Sequence, residues 1–172
     1  MSRALGQYTV KERLQGRPVE VRYAANLRDT AGNAADAATY IRDRLIVLDG
    51  DLAGDEHQRV LCHELFHFVW VRLGNPRRLD WESLLATEWQ AGARGETGWS
   101  AEWRKKKLTA EDVTGRTRKW REYCCESFCD TAAWLFASNE SELTLSLKWR
   151  EGRKAWFTRH IGSEETRSRI SI

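Results

Sequence analysis

The stretch Asp55–Leu73 constrains the fold of this chain more than any other part of its sequence. Its interior, VLCHELFHFVWV over residues 60–71, is apolar on nearly every side, so the helix that it predicts should lie at the centre of the molecule. Asp55, with Gln58 three residues later, resembles a capping box at the start of this helix. A Gly-Asn-Pro sequence from residue 74 predicts its end.

The patterns on either side of this helix predict an α+β fold. Three β-like runs precede it and indicate a small N-terminal sheet: Val19–Tyr23, Ala38–Ile41 and Leu45–Leu48. A second long helix is predicted from about Arg116 to Ala137, and a further helix over Trp149–Ile161. Between these two helices Leu143, Leu145 and Leu147 alternate as they would in a strand.

Residues 77–119 stand out because they are rich in Trp and interrupted by Gly. Short helices fit Leu79–Glu88 and Ala101–Leu108 within this region. The chain has nine tryptophans, and Trp is a residue that fills cores and anchors interfaces, so we expect mainly packing, with a partner-binding face as the alternative. We interpret residues 77–119 as an insertion in a single domain that spans residues 1–172.

Composition excludes several classes of protein. A hydrophobic content of 41% is too high for a disordered chain, and a net charge of +3 does not by itself indicate a nucleic-acid partner. The sequence contains no apolar run of the roughly 18 residues that a membrane span needs. Its first residues lack the apolar stretch of a secretory signal, so its four cysteines are interpreted as reduced thiols in a cytoplasmic protein.

The central helix carries the sequence His-Glu-Leu-Phe-His, an HExxH motif. His63 and His67 are four residues apart and lie on one face of a helix, so both imidazoles can reach one zinc ion at about 2.0–2.1 Å. Glu64 is then placed to take a proton from the zinc-bound water. The alternative, two histidines satisfied within the core, is costly because buried polar groups need partners.

A catalytic zinc ion needs a third protein ligand, and the second long helix offers candidates. Glu122, Glu126 and Asp130 are spaced by four and share one face of an otherwise apolar, cysteine-rich helix. Helix periodicity alone cannot choose between Glu122 and Glu126. A solvated acidic face, with Glu122 paired to neighbouring arginines, is the alternative.

An HExxH helix followed by a helix bearing ExxxD resembles the gluzincin class of zinc peptidases. The stretch ESFCDTAAWL from residue 126 resembles the corresponding helix of ImmA/IrrE-like metallopeptidases, and the resemblance covers about residues 40–137. It implies a compact zincin-like core in which the small sheet, the HExxH helix and the glutamate-bearing helix pack together. It also implies that zinc is bound by His63, His67 and Glu126, that Glu64 is the catalytic general base, and that Asp130 orients a ligating histidine.

The sequence also departs from the family pattern. Phe66 stands where the family usually has a small residue, the gap between His67 and Glu126 is long, and the proline that commonly follows the second helix is missing. The first departure suggests a narrower substrate cleft and the second an inserted subdomain. Neither removes a ligand.

Other residues have candidate roles of their own. Tyr123 is a candidate oxyanion donor, with simple packing as the alternative. His160 is a further candidate for that donor or for the third ligand, and His57 is predicted to lie on the surface. The cysteines near the two helices are interpreted as small buried hydrophobic residues, with regulation of the metal site by a thiol as the alternative.

The sequence therefore predicts a zinc metallopeptidase that acts on a protein or peptide substrate. In zincins the substrate usually adds a strand to the sheet edge, and we expect that edge to be Arg44–Leu48. Two alternatives belong to other classes. One is a zinc-containing regulatory or protein-binding module with little protease activity, and the other is a nucleic-acid module that uses the basic runs at 104–107 and 116–121.

Overall fold

The computed structural model describes residues 14–137, 140, 143–162 and 170–172. Over these residues the fold is mixed α+β, as the sequence predicted. The strands are β1 (Leu14–Gln15), β2 (Glu20–Ala24), β3 (Ala37–Tyr40), β4 (Leu45–Asp49) and β5 (Ile170–Ser171). The helices are α1 (Gly54–Arg72), α2 (Asn75–Gln90), α3 (Trp99–Lys105), α4 (Ala110–Thr114), α5 (Arg118–Ala137) and α6 (Leu147–His160).

The three predicted strands form one sheet in the order β2-β4-β3. β4 pairs in parallel with β2 and antiparallel with β3, so it is the central strand. The prediction that Arg44–Leu48 forms the sheet edge is therefore wrong. The physical reason lies in the run Leu-Ile-Val-Leu, since Ile46 and Leu48 are fully buried and a run of apolar residues is typical of an inner strand. The edges are β2 and β3.

Helix α1 begins two residues earlier than the capping pattern predicted, since a cap at Asp55 would start the helix at Glu56. Its N-cap is Ala53, which makes no side-chain capping bond, so the predicted capping box is absent. Gly54 adopts a φ of +57°, in the left-handed region that favours glycine, and the chain turns into the helix there. Asp55 and Glu56 instead lie in the first turn, where acidic side chains stabilise the positive end of the helix dipole.

Helices α1 and α5 pack against each other at the centre of the molecule, as predicted for α1. Phe66 is fully buried and its ring lies 5.9 Å from that of Phe128 on α5. The Cys62 thiol reaches the main-chain oxygen of Ala132 at 3.6 Å. No helix among the described residues is both long and apolar enough to cross a membrane.

The Trp-rich region forms α2, α3 and α4, and all three helices pack on α5. Trp81 and Trp120 are buried, and the indole of Trp81 donates to the main-chain oxygen of Cys124 at 3.0 Å. Packing therefore accounts for these two residues, as expected. Trp99 and Trp103 differ, because they are 66% and 44% exposed and stack on each other on α3.

The alternation of Leu143, Leu145 and Leu147 does not produce a strand in the described residues. The main-chain N–H groups of Thr144 and Leu145 both donate to the carbonyl of Glu96, which ties this segment to the loop before α3 without forming a strand ladder. Leu147 begins α6 and is exposed. The helix predicted over Trp149–Ile161 is confirmed, with a start two residues earlier.

Candidate metal centre

The candidate metal centre lies between α1, which carries the HExxH motif, and α5, which carries the ExxxD motif. α1 carries His63, Glu64 and His67, and α5 carries Glu126, Cys129 and Asp130. Both groups face the packed interface of the two helices, which explains why so many polar side chains lie close together. His63 and Asp130 are buried within it.

His63 has a carboxylate at each of its ring nitrogens. Its Nδ1 lies 2.7 Å from Asp130 Oδ1, and its Nε2 lies 3.2 Å from Glu126 Oε2. A neutral imidazole that donates from Nδ1 has only a lone pair at Nε2, which would then face another acceptor. The arrangement therefore requires either a proton on Nε2 or a cation between Nε2 and Glu126.

His67 is held in a similar way but by a thiol. Its Nδ1 lies 3.5 Å from Cys125 Sγ, and its Nε2 lies 4.0 Å from Glu64 Oε2. The rings of His63 and His67 lie 5.0 Å apart, edge to face. In each histidine a partner occupies Nδ1, which leaves Nε2 as the atom that can bind a metal.

Three of these side chains could hold a metal ion, namely His63, His67 and Cys129. One ligand atom from each lies within 4.8 Å of the others. This group shares both histidines with the ligand set predicted from the sequence, but its third member is the thiol of Cys129 instead of the carboxylate of Glu126. The group alone does not identify the metal.

Glu64 faces the centre from α1 and is tied to the sheet. Thr39 on the edge strand β3 donates its hydroxyl to Glu64 Oε2 at 2.6 Å. The Glu64 side chain is 14% exposed, so solvent reaches it. This hydrogen bond fixes a carboxylate beside the imidazole of His67.

Glu126 is held from the opposite side by α3. Ser100 Oγ donates to Glu126 Oε2 at 2.7 Å, and a guanidinium nitrogen of Arg104 lies 3.3 Å from Oε1. Burial alone would raise the pKa of Glu126, but the hydrogen bond and charge of His63, with the charges of His67 and Arg104, hold it well below its usual value. Glu126 is therefore a carboxylate at neutral pH.

Asp130 is fixed by both α1 and α3. Besides His63 it accepts the main-chain N–H of Ala101 at 2.8 Å. Gly98 makes this approach possible, because a Cβ at that position would lie 2.4 Å from the Asp130 carboxyl carbon. Burial lowers the pKa of His63, but the charge and hydrogen bond of Asp130, helped by Glu126 and Glu64, raise it well above its usual value.

Cys125 and Cys129 form a thiol pair beside His67. The hydrogen bond from Cys129 and the interaction with His67 outweigh burial and lower the pKa of Cys125 to about 6. Burial raises the pKa of Cys129 well above its usual value, so it is a neutral thiol in the absence of a metal. The expectation that the cysteines are only small buried hydrophobic residues therefore does not account for the contacts of Cys125 with His67 and with Cys129.

The remaining candidates lie elsewhere. Glu122 is half exposed and pairs with Arg118 at 2.7 Å, so it does not join Glu126 at the histidines. Tyr123 is buried and donates to Glu96 at 2.6 Å, which accounts for its hydroxyl and excludes it as the oxyanion donor in this conformation. His160 lies 3.1 Å from Asp80, and His57 contacts the hydroxyl of Tyr23 near the surface.

Sequence reasoning missed the residues that hold the site from outside α1 and α5. Thr39, Gly98, Ser100 and Arg104 come from β3 and the Trp-rich region. Ser100 and Arg104 are four residues apart and so share a helix face, but nothing local marks that face as facing Glu126. Only tertiary packing brings them there.

Comparison with known proteins adds no relative to these observations. The chain matches no family model, no curated protein and no solved structure.

Proposed function

We propose that this chain is a zinc-dependent metallopeptidase with a zincin-like core, in which His63, His67 and Glu126 bind zinc and Glu64 is the general base. The observation that carries the proposal is the convergence of the HExxH face of α1 with Glu126 and Asp130 of α5 on one imidazole, that of His63. Asp130 then has the role of the carboxylate that orients a ligating histidine.

The spacing of His63 and Glu126 fits two ligands of one zinc ion. Ligand atoms at about 2.0–2.1 Å from a tetrahedral zinc ion lie about 3.3 Å from each other. The distance from His63 Nε2 to Glu126 Oε2 is 3.2 Å. A zinc ion would also resolve the contact between a lone pair and a carboxylate, because both atoms would then donate to the metal.

The charges of the site support a divalent cation. Glu64, Glu126 and Asp130 bring three carboxylates to one half-buried space. Within ion-pair distance among the described residues they meet the guanidinium of Arg104 and two imidazoles, which are charged only when protonated. Buried carboxylates without compensating charge are costly, so the donor set fits a bound cation.

When bound, zinc supplies a Lewis acid that polarises a carbonyl and lowers the pKa of water to about 7. The chain supplies the proton transfers. Glu64, fixed by Thr39, accepts a proton from the attacking water and delivers it to the leaving amine. Asp130 keeps the proton of His63 on Nδ1, so that Nε2 is free for the metal.

The substrate is proposed to pass between β3 and α3. β3 is an edge strand and carries Thr39, so an extended peptide that pairs with it would pass next to Glu64. α3 lies on the side of Glu126, because Ser100 contacts that carboxylate, and the neighbouring Trp99 is exposed. This assignment replaces β4 by β3 as the substrate-binding edge.

The test is Glu64→Gln in the zinc-loaded protein, assayed with a mixture of fluorogenic peptides of random sequence. We expect cleavage to fall by about 10²–10⁴-fold, since the proton acceptor is lost while its hydrogen-bonding shape remains. Zinc content should stay at the wild-type level. Glu56→Gln, which changes an exposed carboxylate in the first turn of the same helix, is the matched control. Equal cleavage by the wild type and Glu64→Gln would contradict the proposal.

The alternative that a specific observation favours is a metal-binding regulatory module. Cys129 lies with His63 and His67 in the group that could hold a metal ion. If Cys129 and Glu126 both bind the metal, its coordination is closed and no position remains for substrate. Stoichiometric zinc in a wild-type protein that cleaves none of the peptides would favour this alternative.

A further inference from the structure

We infer that Ser100 and Arg104 on α3 are positioning residues that make Glu126, and not Cys129, the third metal ligand, and that they make it bind through Oε2 alone. This inference rests on the metal site of the proposed function, but it does not depend on peptide cleavage. It assigns a role at the metal site to two residues of the segment that the sequence analysis interpreted as an insertion.

Two potential third ligands lie on the same turn of α5. Glu126 and Cys129 are three residues apart, which places them on one helix face. Both lie close to His63, since Glu126 Oε2 is 3.2 Å from its Nε2 and Cys129 belongs to the group with His63 and His67. A catalytic site needs three protein ligands and an open position, so one of the two has to be favoured.

The two oxygens of Glu126 have different partners. Oε2 accepts the hydroxyl of Ser100 at 2.7 Å and faces His63, whereas Oε1 faces the guanidinium of Arg104 at 3.3 Å. With Oε1 paired to Arg104, the carboxylate turns Oε2 towards His63. Glu126 would then bind a metal ion through one oxygen, which would leave a coordination position open.

Ser100 and Arg104 act as one unit. The guanidinium of Arg104 also donates to the main-chain oxygen of Ser100 at 3.1 Å and to its hydroxyl at 3.0 Å. We call this pair the α3 clamp. An arginine can form these bonds together because its donors lie in a fixed fork, which a lysine lacks.

The α3 clamp is itself held in place. The N–H of Ala101 donates to Asp130 at 2.8 Å, and Gly98 allows the close approach of the two helices. At the far end of α3, Lys105 binds the carbonyl of Gly95 at 2.9 Å and the carboxylate of Glu96 at 3.0 Å. α3 is thus anchored at both ends, so its position can determine that of Glu126.

The experiment is a titration of the metal-free protein with Co²⁺, followed by absorption spectroscopy, with zinc affinity measured by chelator competition. Co²⁺ reports the ligand directly, because a coordinating thiolate gives a charge-transfer band and a carboxylate does not. The variants are Ser100→Ala/Arg104→Ala and the same double variant with Cys129→Ser. Arg118→Ala, which removes the exposed partner of Glu122 on α5, is the control.

In the wild type and in Arg118→Ala we expect no strong thiolate band. In the double variant zinc affinity should fall by about 10–100-fold, the usual effect of losing outer partners of a ligand. The thiolate band should appear, and adding Cys129→Ser should remove it. If the double variant does not fold, Arg104→Lys and Ser100→Ala alone should each give a smaller shift in the same direction.

Three results would overturn the inference. They are a wild type that already shows the full thiolate band, a double variant with the spectrum and zinc affinity of Arg118→Ala, and a wild type that binds no metal. The last result would also overturn the proposed function. A wild type that binds metal through Glu126 without cleaving any peptide would leave this inference standing and defeat only the proposed activity.

Discussion

Two clusters of buried charge lie against α5, and they differ in how their charges are compensated. One is the candidate metal centre. The other, which we call the ion network, joins Arg153 of α6 to Glu88, Glu96 and Lys105. Arg153 is fully buried and lies 2.6 Å from a carboxylate oxygen of each glutamate, and Lys105 lies 3.0 Å from Glu96. Two carboxylates thus meet two cations, and the ion network is neutral without any ligand.

The candidate metal centre reaches such a balance only if its histidines are protonated or a cation is bound. It sets three carboxylates against one guanidinium, which is 28% exposed, and two histidines. The ion network is also closed by neutral partners, since Tyr123 and Ser127 of α5 both bind Glu96. The comparison teaches that the ion network needs no ligand for charge balance, whereas the candidate metal centre needs either protons on its histidines or a bound cation.

The largest effect on stability should come from breaking the ion network. Arg153→Met leaves Glu88 and Glu96 buried without their main partner, and removing one member of a buried pair costs about 3–5 kcal/mol of unfolding free energy. Urea unfolding of the metal-free protein measures this loss. Arg118→Met, at an arginine 87% exposed, should change stability by less than about 0.5 kcal/mol. Similar losses in the two variants would show that the ion network does not stabilise the fold.

The next largest effect on stability should come from acid, which also acts on the ion network. Burial alone would raise the pKa of Glu96, but Arg153, Lys105 and Tyr123 lower it from 4.5 to about 2. Because the folded-state pKa is lowered, the contribution is present above pH 4.5 and is lost as the pH falls through about 2. The shift corresponds to about 3 kcal/mol.

The acid effect is isolated by comparing the wild type with Glu96→Gln. The unfolding free energy of the wild type should fall between about pH 5 and pH 2, and the fall should be smaller in Glu96→Gln by about 3 kcal/mol. Glu122→Gln, which alters an exposed carboxylate, should keep the wild-type dependence. The same pH dependence in all three proteins would count against the assigned charge of Glu96.

Zinc should stabilise the folded protein by binding at the candidate metal centre only. Free zinc at 100 times its dissociation constant should raise the unfolding free energy by about 2.7 kcal/mol, because it binds the folded state. His63→Ala should abolish this increase, and a chelator should reverse it in the wild type. Arg153→Met should keep the same increase on a lower baseline. An increase that survives His63→Ala would place the metal elsewhere.

Exposed aromatic residues beside the centre should give the smallest effect. Trp99→Ala should change stability by less than about 0.5 kcal/mol, because the side chain is 66% exposed. If Trp99 contacts substrate, KM should rise roughly two- to ten-fold with little change in kcat, as expected for one aromatic contact. Leu147→Ala, at a 61% exposed position on α6, should leave KM unchanged. Steady-state kinetics on a single cleaved peptide separate the two variants.

Local sequence patterns predicted the long helices better than the order of the strands. α1 and α5 were predicted within two residues at each end, because long apolar patterns with clear stops determine a helix. The order of the strands was not, since the apolar run of β4 was taken for an edge although such a run favours the middle of a sheet.

The residues of the candidate site also fall into two groups, those that local patterns could indicate and those that depend on packing. HExxH and the acidic spacing on α5 are patterns within single helices, so the sequence could indicate His63 and narrow the third ligand to Glu122 or Glu126 before any fold was known. Ser100, Arg104 and the thiol of Cys129 depend on how α3 and α5 pack, which no local spacing encodes. Arg153 lies in a helix rich in charged residues, and nothing in that helix distinguishes the one arginine that the core encloses.

The central claim is that the candidate metal centre binds zinc through Glu126 as well as the two histidines. Zinc affinity, measured by chelator competition in Glu126→Ala and Glu122→Ala, tests it most directly, because the two glutamates are one helical turn apart on α5. We expect Glu122→Ala to bind one zinc ion per chain with the affinity of the wild type, and Glu126→Ala to lose affinity by more than about 100-fold, beyond the effect of an outer partner. Wild-type affinity in Glu126→Ala, or a loss only in Glu122→Ala, would contradict the account.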